Sequence, residues 1–135
     1  MPGGPLPVPR GATPEPAVFD ASVLGDMFGN DDGVVAAVLE TFLGSMAASL
    51  AELRTAMDNR DLVAMAALAH RIKGAARLSG ALALGMEAFA LEQLARCGDW
   101  GEVKARAARL ELQWQLVRDH PALQAGGGGA RVKNA

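Results

Sequence analysis

One stretch decides the fold of this chain: Ala66-Ala67-Leu68-Ala69-His70-Arg71-Ile72-Lys73-Gly74-Ala75-Ala76-Arg77-Leu78-Ser79-Gly80. Its apolar residues recur at the spacing of an α-helix, in which successive residues are rotated by about 100°. They form one stripe that we expect to face the core, and His70 projects roughly 140° away from the centre of that stripe. The stretch therefore predicts a helix with one buried face and an imidazole close to its outer face. The stripe consists of Leu62, Met65, Ala69, Ile72 and Ala76.

Gly74 lies in the middle of this predicted helix, where glycine costs about 1 kcal/mol relative to alanine. Alanine is abundant in the chain, so the fold alone does not explain the glycine. A position without a side chain permits the close approach of a bulky group or of another backbone. The outer face thus combines an imidazole at His70, cations at Lys73 and Arg77, and a gap at Gly74.

The segment His70-Arg71-Ile72-Lys73-Gly74-Ala75-Ala76, closed by Gly80-Ala81, resembles the signature of histidine-containing phosphotransfer (HPt) domains. The resemblance covers about residues 19–118 and extends to Leu91-Glu92, although many members of the family have a cysteine where this chain has Ala88. It implies that the histidine accepts a phosphoryl group from an aspartate of a response-regulator receiver domain and passes it to another receiver.

The resemblance also implies a role for each polar residue of the motif. His70 would be the phosphoryl acceptor, because a neutral imidazole nitrogen is a competent nucleophile. Lys73 would neutralise charge on the phosphate, and Gly74 would leave clearance for the receiver. The receiver would supply the aspartate, Mg²⁺ and most of the catalytic groups, so we expect this chain to bind no cofactor or metal of its own.

A docking surface for the receiver is expected around His70. Its outer half carries small apolar groups, which a partner surface explains better than exposure to solvent does. Arg77 would add orientation by meeting an acidic residue of the receiver. The expected partners are response-regulator receiver domains and a hybrid sensor histidine kinase. The predicted docking residues are Val63, Ala67, Arg77 and Leu78.

Composition limits the other possibilities. The 135 residues suggest one domain, and 50% hydrophobic but only 4% aromatic residues favour a helical bundle. A net charge of −2 gives no basic field for nucleic acid, and the only cysteine, Cys97, allows no internal disulfide. No uninterrupted apolar run reaches about 18 residues, and residues 1–4 do not resemble the start of a signal peptide. We expect a cytoplasmic monomer without a membrane partner, and Met1 followed by a long N-terminal tail favours a stand-alone protein.

The order of helical patterns predicts an all-α, antiparallel up-down-up-down four-helix bundle with a short extra N-terminal helix. Expected domain limits are residues 18–121, between a disordered Pro/Gly-rich tail at 1–17 and a flexible Gly-rich tail at 122–135. In the fourth predicted helix, residues 81–96, the apolar side chains expected to face inward are Leu82, Met86, Phe89 and Leu94. The last helix is expected to begin at Asp99, to end at Pro121 and to bury Val103, Ala107, Leu110, Trp114 and Val117.

Two other functional classes stay open at this point. A helical-bundle adaptor could bind a receiver or a partner helix without phosphotransfer, although Lys73 and Gly74 favour the transfer protein. A small metal-binding bundle is weaker, because no second ligand lies three or four residues from His70. The chain has no Gly-rich ATP-binding loop, so we expect no kinase activity of its own. His120, beside Pro121, is expected to be a helix cap or a surface residue.

Overall fold

The computed structural model describes residues 16–29 and 31–123, and within these ranges every regular element is a helix. Residues 1–15 and 124–135, which make up most of the two expected tails, lie outside the described residues, as does Asn30. The helices are α1 (Ala21–Phe28), α2 (Asp32–Asp58), α3 (Leu62–Ser79), α4 (Leu82–Cys97) and α5 (Trp100–Arg118).

Four of the five helices are capped by an aspartate that directly precedes their first residue. The carboxylate of Asp61, for example, accepts a hydrogen bond from the backbone N–H of Ala64 at 3.0 Å. Such a cap satisfies a backbone donor that has no partner inside the helix and contributes about 1 kcal/mol. Short links between capped helices make sequential neighbours antiparallel. The four capping residues are Asp20, Asp31, Asp61 and Asp99.

Helices α2 to α5 form the predicted four-helix bundle, in which α3 packs between α2 and α4, and α5 packs on α4 and touches α2. The predicted inward stripe of α3 is confirmed, since Met65, Ala69, Ile72 and Ala76 are buried and Leu62 packs at the edge of the core. All five inward residues predicted for α5 are buried as well. Burial of α3 on two sides leaves only its outer face, which carries His70, open to solvent.

The inward face of α4 differs from the predicted one. Met86 and Phe89 are exposed, whereas Leu82 and Leu94 are only partly buried. The reason is close packing against α3: a side chain at Gly85 would contact Ala76, so small residues occupy the line of approach. The larger apolar residues are displaced to the edges of the helix. The buried positions of α4 are Leu84, Gly85, Ala88, Leu91, Glu92 and Ala95.

The C-terminal end of the bundle also departs slightly from expectation. Helix α5 ends at Arg118, before Pro121, and residues 121–123 form a further helical turn. His120 caps this turn, because its Nδ1 accepts a hydrogen bond from the N–H of Ala122 at 3.1 Å. Leu123 is buried in the core, two residues beyond the expected domain limit.

Helix α2 is long and apolar enough to cross a membrane by length and composition alone. This is weak evidence for a membrane span, because core helices of soluble proteins pass the same test. The inward side chains of α2, including Phe42, Met46 and Leu50, belong to the core of the bundle.

The link between α3 and α4 joins the short α1 to the bundle through Gly80. The carbonyl of Gly80 accepts a hydrogen bond from the N–H of Asp20 at 2.8 Å. Gly80 has a φ of +99°, a left-handed conformation that side chains disfavour, and a Cβ there would collide with the backbone carbonyl of Asp20. The close contact of these two segments therefore requires glycine at this position.

Gly98 provides a matched control for Gly80, since its φ of +84° is similar but a Cβ there would have no neighbour within 4 Å among the described residues. We expect Gly98→Ala to lower the free energy of unfolding by about 1 kcal/mol through backbone strain. Gly80→Ala should lower it by at least about 2 kcal/mol, because the collision with Asp20 adds to the strain. Urea unfolding measures both values, and equal losses would contradict the close contact.

Candidate functional site

His70 lies on the outer face of α3, as predicted, with 65% of its side chain exposed. Its imidazole is nevertheless held in place, because Nδ1 lies 3.0 Å from Oε2 of Glu92 on α4. The other ring nitrogen, Nε2, has no hydrogen-bond partner in the part of the chain that the structure describes. Nδ1 is thus held by Glu92, whereas Nε2 is left available.

The carboxylate that holds His70 is buried in the contact between α3 and α4. Only 3% of the Glu92 side chain is exposed, and three basic groups surround it. Its Oε1 accepts a hydrogen bond from Nζ of Lys73 at 2.8 Å, and its Oε2 accepts one from the guanidinium of Arg96 at 2.6 Å. Because a buried carboxylate is costly unless paired, these contacts explain how Glu92 is accommodated.

The hydrogen bond from Lys73 is the main cause that lowers the pKa of Glu92, against the opposing effect of burial; the hydrogen bond with His70 lowers it further. Glu92 is therefore an anion at neutral pH, and an ionised carboxylate only accepts hydrogen bonds. The contact with His70 consequently requires a proton on Nδ1. In the neutral imidazole this places the free lone pair on Nε2.

The two predicted partners of His70 occupy different environments. Lys73 is only 15% exposed, so it is an ion-paired residue within the site rather than the mobile surface cation that the sequence suggests. Its ammonium carries three donors, of which Glu92 uses one. Gly74 is exposed, and a Cβ there would meet nothing within 4 Å among the described residues. Packing within this chain therefore does not require a glycine at position 74.

A family model described as the Hpt domain matches residues 37–126 of the chain. The chain belongs to the Hpt domain family. Its general function is that of a histidine-containing phosphotransfer protein in a phosphorelay, and Hpt domains interact with receiver domains. No curated protein and no solved structure matches the chain. The match begins within α2, so α1 lies outside it.

All four predicted docking residues of this Hpt domain are at the surface. Val63 is 83% exposed, and Ala67 is exposed one turn before His70. Leu78 is exposed at the edge of an apolar groove between α1, α2 and α3. Arg77 is also exposed, and its guanidinium lies over the ring of Phe89. Whether a receiver uses these residues remains a prediction.

Sequence reasoning missed the parts that Glu92 and Arg96 play in the Hpt site. It placed Glu92 only in a family-like pair with Leu91 and gave it no role. A signal was present, because Glu92 lies between Ala88 and Ala95 on the inner face of α4, where a charge needs a partner. The misassigned inward face of α4 hid this signal.

Arg71, the residue after His70 on α3, is exposed and contacts α2. Its guanidinium lies 3.1 Å from Oε2 of Glu52 on α2 and donates a hydrogen bond to Ser49. It therefore ties α3 to α2, on the side away from Glu92. Residues 16–29 and 31–123 contain no group of three or more His, Cys, Asp or Glu side chains arranged to hold a metal.

The lowered pKa of Glu92 predicts how stability depends on pH. Because the pKa is lower in the folded domain than in the unfolded chain, the ionised form stabilises the fold. That contribution is complete above the unfolded value, near 4.5, and is lost as the pH falls through the folded value. At pH 7 we expect Glu92→Gln to lower the free energy of unfolding by about 1–3 kcal/mol. This difference from the wild type should shrink as the pH falls below about 4.5.

Urea unfolding at a series of pH values measures this difference. Glu52→Gln is the matched control, because Glu52 is an exposed partner of Arg71 and such pairs contribute about 0–1 kcal/mol. A Glu92→Gln difference that stays constant or grows in acid would contradict an ionised, paired Glu92.

Proposed function

We propose that this Hpt protein accepts a phosphoryl group on Nε2 of His70 from a receiver aspartate and passes it to a second receiver. The proposal rests on the different environments of the two imidazole nitrogens of His70. Nδ1 of His70 is 3.0 Å from the buried carboxylate of Glu92, whereas Nε2 lacks a described partner on an exposed helix face. This arrangement suits a nucleophile that must meet a group on another protein.

The proposed transfer needs no general base from this chain. The Nε2 lone pair attacks the phosphorus of the aspartyl phosphate, the N–P bond forms, and the P–O bond to the aspartate breaks, releasing its carboxylate. The ring keeps its proton on Nδ1 and gains positive character, which the anionic carboxylate of Glu92 stabilises. Transfer to the second receiver is the same reaction in reverse.

The charges around His70 favour its phosphorylated form. Glu92 carries one negative charge and is paired with two permanent cations, Lys73 and Arg96, which leaves an excess of positive charge. A phosphoryl group on His70 would bring negative charge to this excess. Lys73 can contact a phosphate oxygen while keeping Glu92, because it has unused donors. Phosphoryl transfer depends mainly on such positioning and neutralisation.

The receiver would supply the remaining chemistry. We propose that it provides the aspartate and the Mg²⁺, and that this chain acts as a phosphocarrier without ATP-dependent kinase activity. Its proposed partners are a hybrid sensor histidine kinase and response-regulator receivers, which the protein would meet in the cytoplasm as a monomer. The exposed side chains of Val63, Ala67, Arg77 and Leu78 would form the docking surface, and Gly74 would leave room for the approaching receiver.

The first test identifies the phosphorylated residue. The wild-type protein is mixed with phosphorylated receiver domains, and the acid-labile label on it is followed. We expect His70→Gln to abolish labelling, because it removes the nucleophile. His120→Gln should keep it, because Nδ1 of His120 is engaged by the N–H of Ala122 at a helix start.

Two results would reject the assignment. Label retained on the His70 variant would place the phosphoryl group elsewhere. Binding of receivers by the wild type without any labelling would favour the adaptor function instead.

The second test separates charge neutralisation from clearance. Lys73→Ala should slow transfer about tenfold or more, since it removes a cation beside His70. Gly74→Leu should slow transfer from a receiver but not labelling by phosphoramidate, a donor too small to need clearance. Gly74→Ala is the control: it should raise the free energy of unfolding by about 1 kcal/mol and leave transfer nearly unchanged.

Melting temperatures of these variants are measured alongside the rates, because Lys73→Ala also removes a partner of the buried Glu92. Equal transfer rates for the wild type, Lys73→Ala and Gly74→Leu would mean that neither residue assists the reaction.

A further inference from the structure

Arg77 is exposed, and its side chain extends from α3 towards α4. Its guanidinium carbon lies 5.9 Å from the ring centre of Phe89, a half-exposed residue on α4. Nζ of Lys73 lies 5.5 Å from the same ring centre. A cation near an aromatic ring is attracted by its π electrons, so Phe89 restricts where Arg77 can point.

Gly85 provides the path for Arg77 across α4. A Cβ at Gly85 would lie only 3.2 Å from Cγ of Arg77, which is closer than ordinary van der Waals contact. The stem of Arg77 therefore lies directly against the glycine before its guanidinium reaches Phe89. Since glycine costs about 1 kcal/mol inside a helix, the space at Gly85 has a structural use.

Arg77 differs from most cations of the domain because no described carboxylate pairs with it. Arg54, Arg71 and Arg96 each meet a glutamate, as do Lys73, Arg106 and Arg109. The guanidinium of Arg77 keeps its donors free while its direction is set by the ring below. Such a fork matches a carboxylate, with which it can form two parallel hydrogen bonds.

We expect Arg77 to contact the receiver itself and not the phosphoryl group on His70, because the two residues are well separated along α3. The two residues lie seven positions apart on α3, a rise of about 10 Å along the axis. Both residues are nevertheless exposed on the outer surface of the helix. A protein that covers His70 would therefore also cover Arg77.

We propose that Phe89 and Gly85 are positioning residues that hold Arg77 as a preformed anchor for a carboxylate on the receiver, and thereby help to select the receiver. The inference rests on the proposed function, because it names a contact of the same docking event. It separates two tasks of α4: Glu92 supports the chemistry at His70, and the two turns before Glu92 support recognition. Preorganisation favours binding because less freedom of the side chain is lost on contact.

A double-mutant cycle tests whether Phe89 acts through Arg77. The variants are Phe89→Leu, Arg77→Ala and the double variant, with Phe89→Trp as the aromatic rescue and Met86→Leu as an exposed control on α4. For each we measure KM and kcat for transfer from a phosphorylated receiver that labels the wild type, and the rate of labelling by phosphoramidate.

We expect Phe89→Leu to raise KM about two- to fivefold, as loss of an exposed cation–π contact implies. Its kcat and its labelling by phosphoramidate should stay unchanged, and Phe89→Trp should restore KM. In the Arg77→Ala background Phe89→Leu should add nothing. Gly85→Ala should raise KM in the same way, and the KM of Arg77→Ala should depend less on salt than that of the wild type.

Four results would overturn the inference. Additive effects of Phe89→Leu and Arg77→Ala would show that the ring does not act through the arginine. Slower labelling of Phe89→Leu by phosphoramidate would show that Phe89 acts on Lys73 and the chemistry. An unchanged KM of Phe89→Leu, with normal labelling by phosphoramidate, would reject the proposed anchor but not the proposed function. Failure of both donors to label the wild type would reject the proposed function, and the anchor with it.

Discussion

The buried carboxylate of Glu92 is the constraint on which the rest of the site depends. An ionised carboxylate inside a helix contact is tolerated only when charged or polar partners surround it, since removing one partner can cost about 3–5 kcal/mol. Lys73, Arg96 and His70 meet that need from two helices. The contacts of Glu92 that stabilise the packing of α3 against α4 therefore also fix the imidazole of His70. The fold and the site thus depend on the same interactions.

The requirement explains why a surface histidine can be a defined nucleophile. A solvated imidazole exchanges its proton between two nitrogens and rotates freely. Here the anion of Glu92 selects the proton on Nδ1, because an ionised carboxylate cannot donate. The nitrogen that we propose to accept the phosphoryl group is consequently the one that does not contact Glu92. Because His70 is exposed, a partner protein can reach it. Because Glu92 is buried and paired, it fixes the orientation of the imidazole.

Local patterns predicted most of the fold. Asp99 located the start of α5, and the periodicities of α3 and α5 located their buried faces, because capping and amphipathicity act over a few residues. The predicted buried face of α4 was wrong, because Met86 and Phe89 were expected to be buried on the basis of their hydrophobicity alone. Packing against α3 favoured small residues at Gly85 and Ala88, which is a property of two helices together.

The residues of the candidate site were likewise predicted only in part. His70, Lys73 and Gly74 follow one another on a single helix, so the sequence alone could place them on or near one outer face. Glu92 and Arg96 come from the next helix, and their contacts depend on the rotation of α4 that the sequence misjudged. Interactions between helices are set by tertiary packing, which explains why these two residues were found only in the structure.

The most direct measurement of the central claim is ¹⁵N NMR of the His70 ring, before and after phosphorylation, in the wild type and in Glu92→Gln. At a pH at which the ring is neutral, we expect its proton on Nδ1 in the wild type, and a phosphorus coupling to Nε2 after phosphorylation. Glu92→Gln should reduce the preference for that tautomer. A proton on Nε2 in the unphosphorylated wild type, or a phosphorus coupling to Nδ1, would contradict the account.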